Sequence, residues 1–239
     1  MQDVVVKAKG LSMNRQNIVW SLSEATKSPS ETQGFFSRIF AIPKKSEGNR
    51  PIINLKNLNQ DIYYSHFKME GLDIVKNLLK KGDWMAKLDL RDAYLTVPVC
   101  NAHQPFLRFR WKGIAYQFMC LPFGLAPTPR VFTKILKPVM AALRSRGVRV
   151  IIYLDDMLFL NEEREGLVAD VKMASDLLQR LGFLINWEKS LPTPSQSLEF
   201  LGMIVNSLSL AFILPMAKRE KTRKLCVQAL TKNRIKLRD

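Results

Sequence analysis

The sequence predicts an α+β fold built around antiparallel sheet. Strand-like apolar segments and helical stripes are mixed without the strict alternation that a parallel sheet requires. Several strand candidates are followed at once by a turn and a second strand, as in β-hairpins. The chain has 239 residues, of which 47% are hydrophobic, so it is long enough to bury a substantial core.

The charge balance favours a polyanionic partner. The 37 Lys and Arg residues against 21 Asp and Glu residues give a formal net charge of +16, which suits nucleic acid, although solubility alone is an alternative explanation. No apolar run approaches the roughly 18–20 residues that span a bilayer, so we expect no membrane partner. The three cysteines form no CxxC pair, which argues against a disulfide framework or zinc site and favours an intracellular location, cytoplasmic or nuclear.

The N-terminal third contains a lead-in, a hairpin and a helix. Residues 1–34 are polar and rich in Ser and Thr, which predicts a poorly ordered lead-in. Residues 35–42 and 50–55 read as two strands joined by a basic turn. Apolar residues at helical spacing over 72–81, ended by Gly82, predict a helix.

The middle of the chain predicts a strand over 85–90 and a hairpin over 106–118 that turns at residues 112–113. Arg108 and Arg110 alternate with apolar residues in that hairpin. The alternation suits either a solvated sheet face or a face that binds single-stranded nucleic acid.

The remaining pattern predicts two more helices, further strands and a basic end. The helices are expected at 129–146 and 167–181, and the strands at 148–154, 157–160 and 198–205. Residues 218–239 carry nine basic side chains against two acidic ones. That end either holds a phosphate backbone or is covered by a continuation of the chain.

Acidic residues interrupt two of the apolar segments. Asp155 and Asp156 stand between two apolar runs, and Asp89 lies near the end of a third. A two-residue hairpin connection would put both adjacent acids in one tight turn. Carboxylates brought together from two strand ends provide the ligands of a two-metal nucleotidyl-transfer site. A solvated Asp-Asp turn is the alternative.

Five motifs in order resemble those of reverse transcriptases. The resemblance extends over roughly residues 35–224. Sequence segments such as LRFRWKG and LRSRGVRVIIYLDD are most similar to those of DIRS-type retrotransposons. Ty3/gypsy-like elements and pararetroviruses are the next most similar. The motifs are 88–94, 121–125, 153–156, 182–183 with Lys189, and 199–202.

The resemblance implies a catalytic centre. Asp89, Asp155 and Asp156, with the carbonyl of Leu90, would ligate two Mg²⁺ ions, for which Mn²⁺ could substitute. Lys189 would protonate the leaving pyrophosphate, although from the pattern alone it reads as a surface lysine.

The resemblance also implies nucleotide-binding residues. Lys44 and Arg50 would hold the triphosphate, Phe123 and Gly124 would lie beneath the incoming nucleotide, and Tyr94 would reject a ribose 2′-hydroxyl. From the residues alone, the basic hairpin is a solvated charge cluster and Tyr94 a core aromatic.

Domain organisation follows from the same resemblance. Residues 35–212 would be the fingers and palm of a right-hand polymerase with an antiparallel palm sheet, and residues 213–239 the basic start of a truncated thumb. Phe200, Leu201 and Gly202 would form the primer grip. RNase H and other domains are expected in a parent polyprotein.

The implied function is synthesis of DNA from dNTPs on an RNA or DNA template with a DNA primer, as part of retrotransposon replication. The alternative is a catalytically silent retroelement-derived fragment that binds nucleic acid or a partner protein. An RNA polymerase that copies RNA would use the same arrangement of acidic palm residues, but Tyr94 disfavours it.

Overall fold

The computed structural model describes only part of the chain. The backbone is described for residues 13–14, 17–18, 25–27, 34–43 and 49–231, and the side chains for residues 25, 34–40 and 52–231. Lys44 and the side chain of Arg50 therefore lie outside the described residues.

The described part is α+β, as predicted, with almost entirely antiparallel sheets. Its strands are β1 (Met13–Asn14), β2 (Asn17–Ile18), β3 (Ala25–Lys27), β4 (Phe36–Pro43), β5 (Asn49–Asn54), β6 (Trp84–Arg91), β7 (Arg108–Trp111), β8 (Ile114–Phe118), β9 (Arg149–Tyr153), β10 (Asp156–Asn161), β11 (Leu184–Ile185), β12 (Leu191–Ser195), β13 (Ser197–Phe200), β14 (Met203–Asn206) and β15 (Ala211–Ile213). Its α-helices are α1 (Lys56–Asp61), α2 (Leu72–Leu78), α3 (Thr128–Arg144), α4 (Arg164–Arg180) and α5 (Met216–Leu230). Two short 3₁₀ helices cover Ala93–Thr96 and Gln104–Leu107.

The chain forms two compact units, each assembled from separate segments. The first unit takes Met1–Lys68, Leu90–Val139 and Leu178–Leu184. The second takes the remaining segments, Met69–Asp89, Met140–Leu177 and Ile185–Asp239.

The first unit contains a five-stranded sheet in the order β3–β8–β7–β4–β5. The predicted hairpin of β4 and β5 is present, and its tip at residues 44–48 lies outside the described part. The predicted hairpin of β7 and β8 turns at Lys112 and Gly113, whose φ angles of 48° and 81° are those of a type I′ turn. Phe109 and Phe118 pack in the core beneath this sheet.

Residues 25–27 of the predicted lead-in belong to this sheet. They form β3, which pairs antiparallel with β8, so that Ala25 lies opposite Phe118 and is buried. Pairing between segments so distant in sequence has no local signal, which is why the polar composition around β3 predicted no strand.

The solvated-face interpretation is wrong for Arg108. β4 pairs in parallel with β7, placing Phe36 opposite Arg108, and the arginine is only 4% exposed. Its Nε donates a hydrogen bond of 3.1 Å to Gln117 Oε1, and Gln117 Nε2 donates one of 3.1 Å to Gln104 Oε1. This polar network satisfies a buried cation that strand alternation would have placed in solvent. Arg110 is exposed, as expected.

The second unit contains the sheet on which the acidic residues lie. Its strand order is β11–β6–β10–β9, with β12 also paired to β6. A smaller sheet, β13–β14–β15, contributes to the same core. Met85 of β6, Ile151 of β9, Leu158 of β10 and Phe200 of β13 are all buried in that core.

A buried ion pair holds the start of β6. The Asp83 carboxylate, with no exposed surface, accepts two hydrogen bonds from the Arg149 guanidinium at 2.7 and 2.8 Å. Ser207 Oγ donates to the Asp83 carbonyl at 2.6 Å. Two charges removed from water need such complete pairing, because one left alone would cost several kcal/mol. The beginning of β6 is therefore tied to β9 and to the residue after β14.

The three predicted helices are present, and each ends one to three residues earlier than predicted. α2 ends at Leu78 rather than residue 81, because Leu79 is extended and the Lys80 backbone N–H donates to Asp83 Oδ2 at 2.8 Å. α3 and α4 correspond to the other two predicted helices, begin one and three residues before the predicted starts, and end close to Gly147 and Gly182. α5 lies in the basic end and buries none of its residues. Within the described residues, no helix combines the length and apolar character that crossing a membrane requires.

Candidate active site

Two neighbouring strands bring the predicted acidic residues together. β6 and β10 pair antiparallel in a register that places Asp89 directly opposite Asp156. Leu88 and Leu90 on either side of Asp89, and Met157 after Asp156, are buried and apolar. The apolar neighbours set the register, since a slip of one residue would turn them to the opposite face of the sheet.

The turn before β10 differs from the predicted one. Asp156 pairs with Tyr153 of β9, so the two-residue connection consists of Leu154 and Asp155. The prediction that both acids occupy the turn is therefore wrong for Asp156, which begins the strand. Leu154 adopts φ 56°, a conformation that costs a non-glycine residue about 1–2 kcal/mol. A leucine at that position gives no turn signal, so the sequence pattern places the turn one residue too late.

Burial and mutual repulsion dominate the electrostatics of the acids. Burial is the largest cause raising the pKa of Asp89, the Lys189 ammonium opposes it, and the Asp155 and Asp156 carboxylates raise the pKa further. Burial is also the largest cause raising the pKa of Asp155. A backbone hydrogen bond lowers that pKa, and the Asp156 carboxylate raises it further. The site therefore holds negative charge that its surroundings solvate poorly.

Lys87 provides the nearest cation. Its Nζ lies 2.8 Å from Asp156 Oδ1, and both side chains are largely shielded from solvent. The approach does not meet hydrogen-bond geometry, so the Lys87 ammonium compensates the charge of Asp156 Oδ1 as an ion pair. Lys87 was missed in the sequence, although its position two residues before Asp89 places both side chains on one face of β6.

A closed set of hydrogen bonds braces the backbone of Asp89. Its N–H donates to Ser190 Oγ at 3.0 Å, and Ser190 Oγ donates to the Asn186 carbonyl at 2.8 Å. The Asn186 N–H donates back to the Asp89 carbonyl at 2.8 Å. The segment that carries the exposed Lys189 is thereby fixed beside the strand that carries Asp89. No sequence signal identified Asn186 or Ser190, since both resemble ordinary loop residues.

The donor set fits a divalent metal whose shell the substrate completes. Across the described residues, no three His, Cys, Asp or Glu side chains form a ready-made metal cage. Magnesium characteristically binds through one or two carboxylates together with waters and substrate phosphates. Asp89 and Asp155 supply carboxylates in that number, and the Asp156 carboxylate, which pairs with Lys87, begins the neighbouring strand.

The first unit brings Tyr94 and Phe123 together. The ring centroids of Tyr94 and Phe123 lie 5.2 Å apart, and those of Tyr94 and Phe132 lie 5.3 Å apart. Tyr94 is half-buried against the apolar core of this unit, so it has the contacts of a core aromatic. Gly124 has φ 95°, and its carbonyl accepts a 2.9 Å hydrogen bond from Asn59 Nδ2.

The predicted primer-grip residues divide into a buried anchor and a turn. Phe200 has no exposed surface, so its side chain can act only through packing. Leu201 and Gly202 form the two-residue turn between β13 and β14, with φ angles of 47° and 78°. Lys218 Nζ of α5 donates a 2.7 Å hydrogen bond to the Gly202 carbonyl. Leu90, the remaining predicted ligand, lies in β6 with its side chain buried.

Comparison with known proteins finds one family. The sequence model of the family described as "Reverse transcriptase (RNA-dependent DNA polymerase)" matches residues 42–205, more than half of the chain. The Pol polyprotein of the Drosophila melanogaster transposon opus is 24% identical over 176 residues, covering 72% of this chain and 17% of the relative. The enzymatic polyprotein of Cestrum yellow leaf curling virus is 24% identical over 182 residues, covering 75% and 28%. The Pol polyprotein of equine infectious anemia virus (isolate CL22) is 27% identical over 179 residues, covering 71% and 15%.

Solved structures share the fold. The foamy viral protease–reverse transcriptase in complex with double-stranded DNA matches with a TM-score of 0.72 at 19% identity, over 83% of this chain and 33% of that one. The same viral protein in complex with an RNA/DNA hybrid matches with a TM-score of 0.69 at 20% identity, over 84% and 26%. This chain thus spans less than a third of the length of each of these three polyprotein relatives.

Proposed function

Because this chain belongs to the reverse transcriptase family, we propose that it synthesises DNA from dNTPs on an RNA or DNA template, extending a DNA primer during retrotransposon replication. One observation carries the proposal, namely the pairing of β6 with β10 that sets Asp89 opposite Asp156, with Asp155 in the adjoining turn.

The proposed metal ligands are Asp89, Asp155 and Asp156, with the Leu90 carbonyl, and the proposed ions are two Mg²⁺, for which Mn²⁺ would substitute. When bound, such ions lower the pKa of the attacking 3′-hydroxyl and stabilise the charge of the leaving pyrophosphate. The chain's contribution is to hold the carboxylates in register and to deprive them of water, so that they favour a cation.

The two lysines of the site have different proposed tasks. Lys189 is exposed and fixed beside Asp89 through its neighbours Asn186 and Ser190, so it can deliver a proton to the leaving pyrophosphate. Lys87 pairs with Asp156 and partly compensates the repulsion among the acids before a metal and nucleotide arrive.

The proposed nucleotide-binding residues belong to the first unit. Tyr94 would select against ribonucleotides, and Phe123 and Gly124 would contact the incoming nucleotide. Lys44 and Arg50 would bind its triphosphate, because clustered cations and the bidentate guanidinium suit phosphate.

The proposed partners are an RNA template and a DNA primer. The matched foamy viral structures hold double-stranded DNA and an RNA/DNA hybrid, which supports a duplex substrate here. Contact with the primer would come from the turn at Leu201 and Gly202, which the buried Phe200 anchors. The amino-acid sequence of the motifs supports a DIRS-type element as the source. An element of that kind would act inside the cell, in the cytoplasm or nucleus.

Primer extension tests the proposed activity. The chain is incubated with an RNA template, a labelled DNA primer, dNTPs and Mg²⁺, and Asp155→Asn is compared with Asp176→Asn, a matched change at an exposed position of α4. We expect Asp155→Asn to reduce incorporation by at least about 100-fold, a loss typical of removing one electrostatic group at a reacting centre. Asp176→Asn should match the wild type. Equal incorporation by wild type and Asp155→Asn would contradict the proposal.

One observation favours the silent alternative. In this structure Lys87 neutralises Asp156, and a lysine that stayed there would compete with any metal. Salt-dependent binding of an RNA–DNA duplex without incorporation, unchanged in Lys87→Met, would select that alternative.

A further inference from the structure

Side chains, rather than a further strand, close the outer edge of the sheet that carries the acids. Among the described strands, β9 is the last in the order β11–β6–β10–β9. Tyr153 and Asp156 close the hairpin of β9 and β10, and antiparallel residues alternate between pairs that bond each other and pairs that face outward. The backbone groups of Ile152 and Val150 therefore point away from β10. These two residues are only 8% and 1% exposed, so their outward groups need partners within the protein.

One ion pair supplies partners to both residues. Glu70 Oε2 accepts the Ile152 backbone N–H at 3.0 Å. The Arg144 guanidinium donates to the Val150 carbonyl from Nε at 3.2 Å and from Nη2 at 2.8 Å. The same Nη2 lies 2.6 Å from Glu70 Oε2, and all four residues belong to the second unit. The charged pair thus occupies hydrogen-bonding positions that a neighbouring strand would otherwise fill.

The ion pair acts next to a turn that tends to open. Ile152 is the last outward-facing residue of β9 before the turn of Leu154 and Asp155. Leu154 has φ 56°, a left-handed conformation that persists in a non-glycine residue only when its surroundings enforce it. The Asp155 carboxylate is buried and repelled by Asp156, and both effects raise its pKa. A contact from outside the hairpin, made by Glu70 at Ile152, opposes this opening directly.

We propose that Glu70 and Arg144 are positioning residues for Asp155, because their ion pair holds the end of β9 against β10 and keeps the turn closed before a metal arrives. The proposal rests on the proposed function, since it takes Asp155 as a metal ligand. Both residues act through backbone groups of β9. Without them, part of the binding free energy of the metal would be used to close the turn, and the apparent affinity would fall in proportion.

Amide hydrogen exchange tests whether the pair holds the turn. Exchange is followed by NMR on the full chain in EDTA without nucleotides. In Glu70→Ala, we expect the amides of Tyr153 and Asp156 to exchange about tenfold to hundredfold faster, which corresponds to the 1.5–3 kcal/mol of a hydrogen bond to a charged group. The amide of Met85, at the far end of the β6–β10 pairing, should keep its wild-type rate, since local opening leaves the rest of a fold intact.

Four further variants separate the hydrogen bond, the ion pair and general effects. Glu70→Gln keeps an oxygen that can accept the Ile152 N–H, so its rates should lie closer to wild type than those of Glu70→Ala. Arg144→Met should accelerate the same two amides, and it carries the test if Glu70→Ala does not fold. Glu163→Ala and Arg146→Met remove the same charges at exposed positions of the second unit and should leave both rates unchanged.

Binding of Mn²⁺, titrated without nucleotide and followed by EPR, tests the link to Asp155. Glu70→Ala should raise the dissociation constant by about threefold or more, because fewer molecules hold the turn closed. In an Asp155→Asn background the same change should have no further effect, since the carboxylate that the pair positions is gone. This double-mutant cycle separates positioning of Asp155 from a general loss of structure.

Three results would overturn the proposal. The first is wild-type exchange at Tyr153 and Asp156 in Glu70→Ala, and the second is equal acceleration of the Met85 amide. The third is a Mn²⁺ affinity that Glu70→Ala leaves unchanged or weakens equally in the Asp155→Asn background. Neither measurement uses nucleotide incorporation, so a failure of primer extension would contradict the proposed polymerase activity and leave these results standing.

Discussion

Asp89 and Asp155 are the residues whose burial works against the stability of the fold. Each carboxylate has a raised pKa because burial disfavours its charged form. A folded-state pKa above the unfolded value means that the folded chain binds the proton more tightly. The stability that these groups contribute is therefore complete below the unfolded pKa and is lost as pH rises through the folded pKa.

Replacing Asp89 by Asn should consequently stabilise the chain at neutral pH in EDTA. The variant removes the desolvated charge and its repulsion by Asp155 and Asp156, and Tm should rise by about 2–4 °C for each 1 kcal/mol gained. The gain should shrink as pH is lowered, because the raised pKa lets the wild-type carboxyl take up its proton more readily than an exposed one. Thermal melts at neutral and at acidic pH, with Asp176→Asn as the control, check this. An Asp89→Asn variant less stable than wild type at pH 7 would show that the acids are already compensated.

Tyr94 is the residue on which sugar selectivity is expected to depend. Replacing it by Val should raise incorporation of ribonucleotides relative to deoxynucleotides by about tenfold or more, on the scale by which a change in side-chain size alters pocket discrimination. The measurement is the ratio of kcat/KM for the two nucleotides, which is insensitive to partial loss of folded protein when Tyr94 leaves its contacts with Phe123 and Phe132. Tyr63→Val, at a position 89% exposed, should leave the ratio unchanged. An unchanged ratio in Tyr94→Val would assign the ring to the core alone.

Among the elements, the hairpin of β13 and β14 depends on its turn residues. Gly202 has φ 78°, and a Cβ atom there would lie 2.2 Å from Lys218 Nζ. Gly113 also has positive φ, but a Cβ there meets nothing within 4 Å. Gly113→Ala therefore measures the backbone cost alone, whereas Gly202→Ala adds displacement of the lysine from the Gly202 carbonyl.

We expect Gly113→Ala to lower the free energy of unfolding by about 1–2 kcal/mol. Gly202→Ala should lower it by about 0.5–1.5 kcal/mol more, the contribution of a typical hydrogen bond. Urea denaturation of both variants and of Lys218→Met measures this difference. Gly202→Ala is then introduced into the Lys218→Met variant. If it lowers the free energy of unfolding there no more than Gly113→Ala does in the wild type, the lysine accounts for the excess. An excess that persisted without the lysine would contradict the assignment.

Local patterns predicted the elements whose causes are local. The hairpins of β4–β5 and β7–β8 and the helices α3 and α4 follow from apolar periodicity and from turn residues such as Gly113, Gly147 and Gly182. What the pattern missed arises from long-range contacts. The strand β3 and the burial of Arg108 depend on pairing between distant segments, and the ion pair of Lys87 with Asp156 depends on the register of β6 and β10.

At the scale of the whole molecule, charge is the property that governs association. A net charge of +16 predicts that binding to single-stranded nucleic acid releases counterions, so the logarithm of the association constant should fall linearly with the logarithm of salt concentration. For about four to seven phosphate contacts, the slope should be roughly −3 to −5. Titrations between 50 and 300 mM KCl measure it, and a slope near zero would contradict phosphate contact as the main source of affinity.

Each unit is assembled from segments that are far apart in sequence, and this affects how the protein can be made. The ion-paired Asp83 of the second unit receives a hydrogen bond from Ser207, 124 residues later. At roughly 5–20 residues per second, a ribosome needs about 6–25 s to synthesise that interval. In the first part of it, β6 has been synthesised but β10 and β12 have not. Synthesis of this chain therefore includes a period of seconds in which the strand that carries Asp89 lacks the partners that bury it.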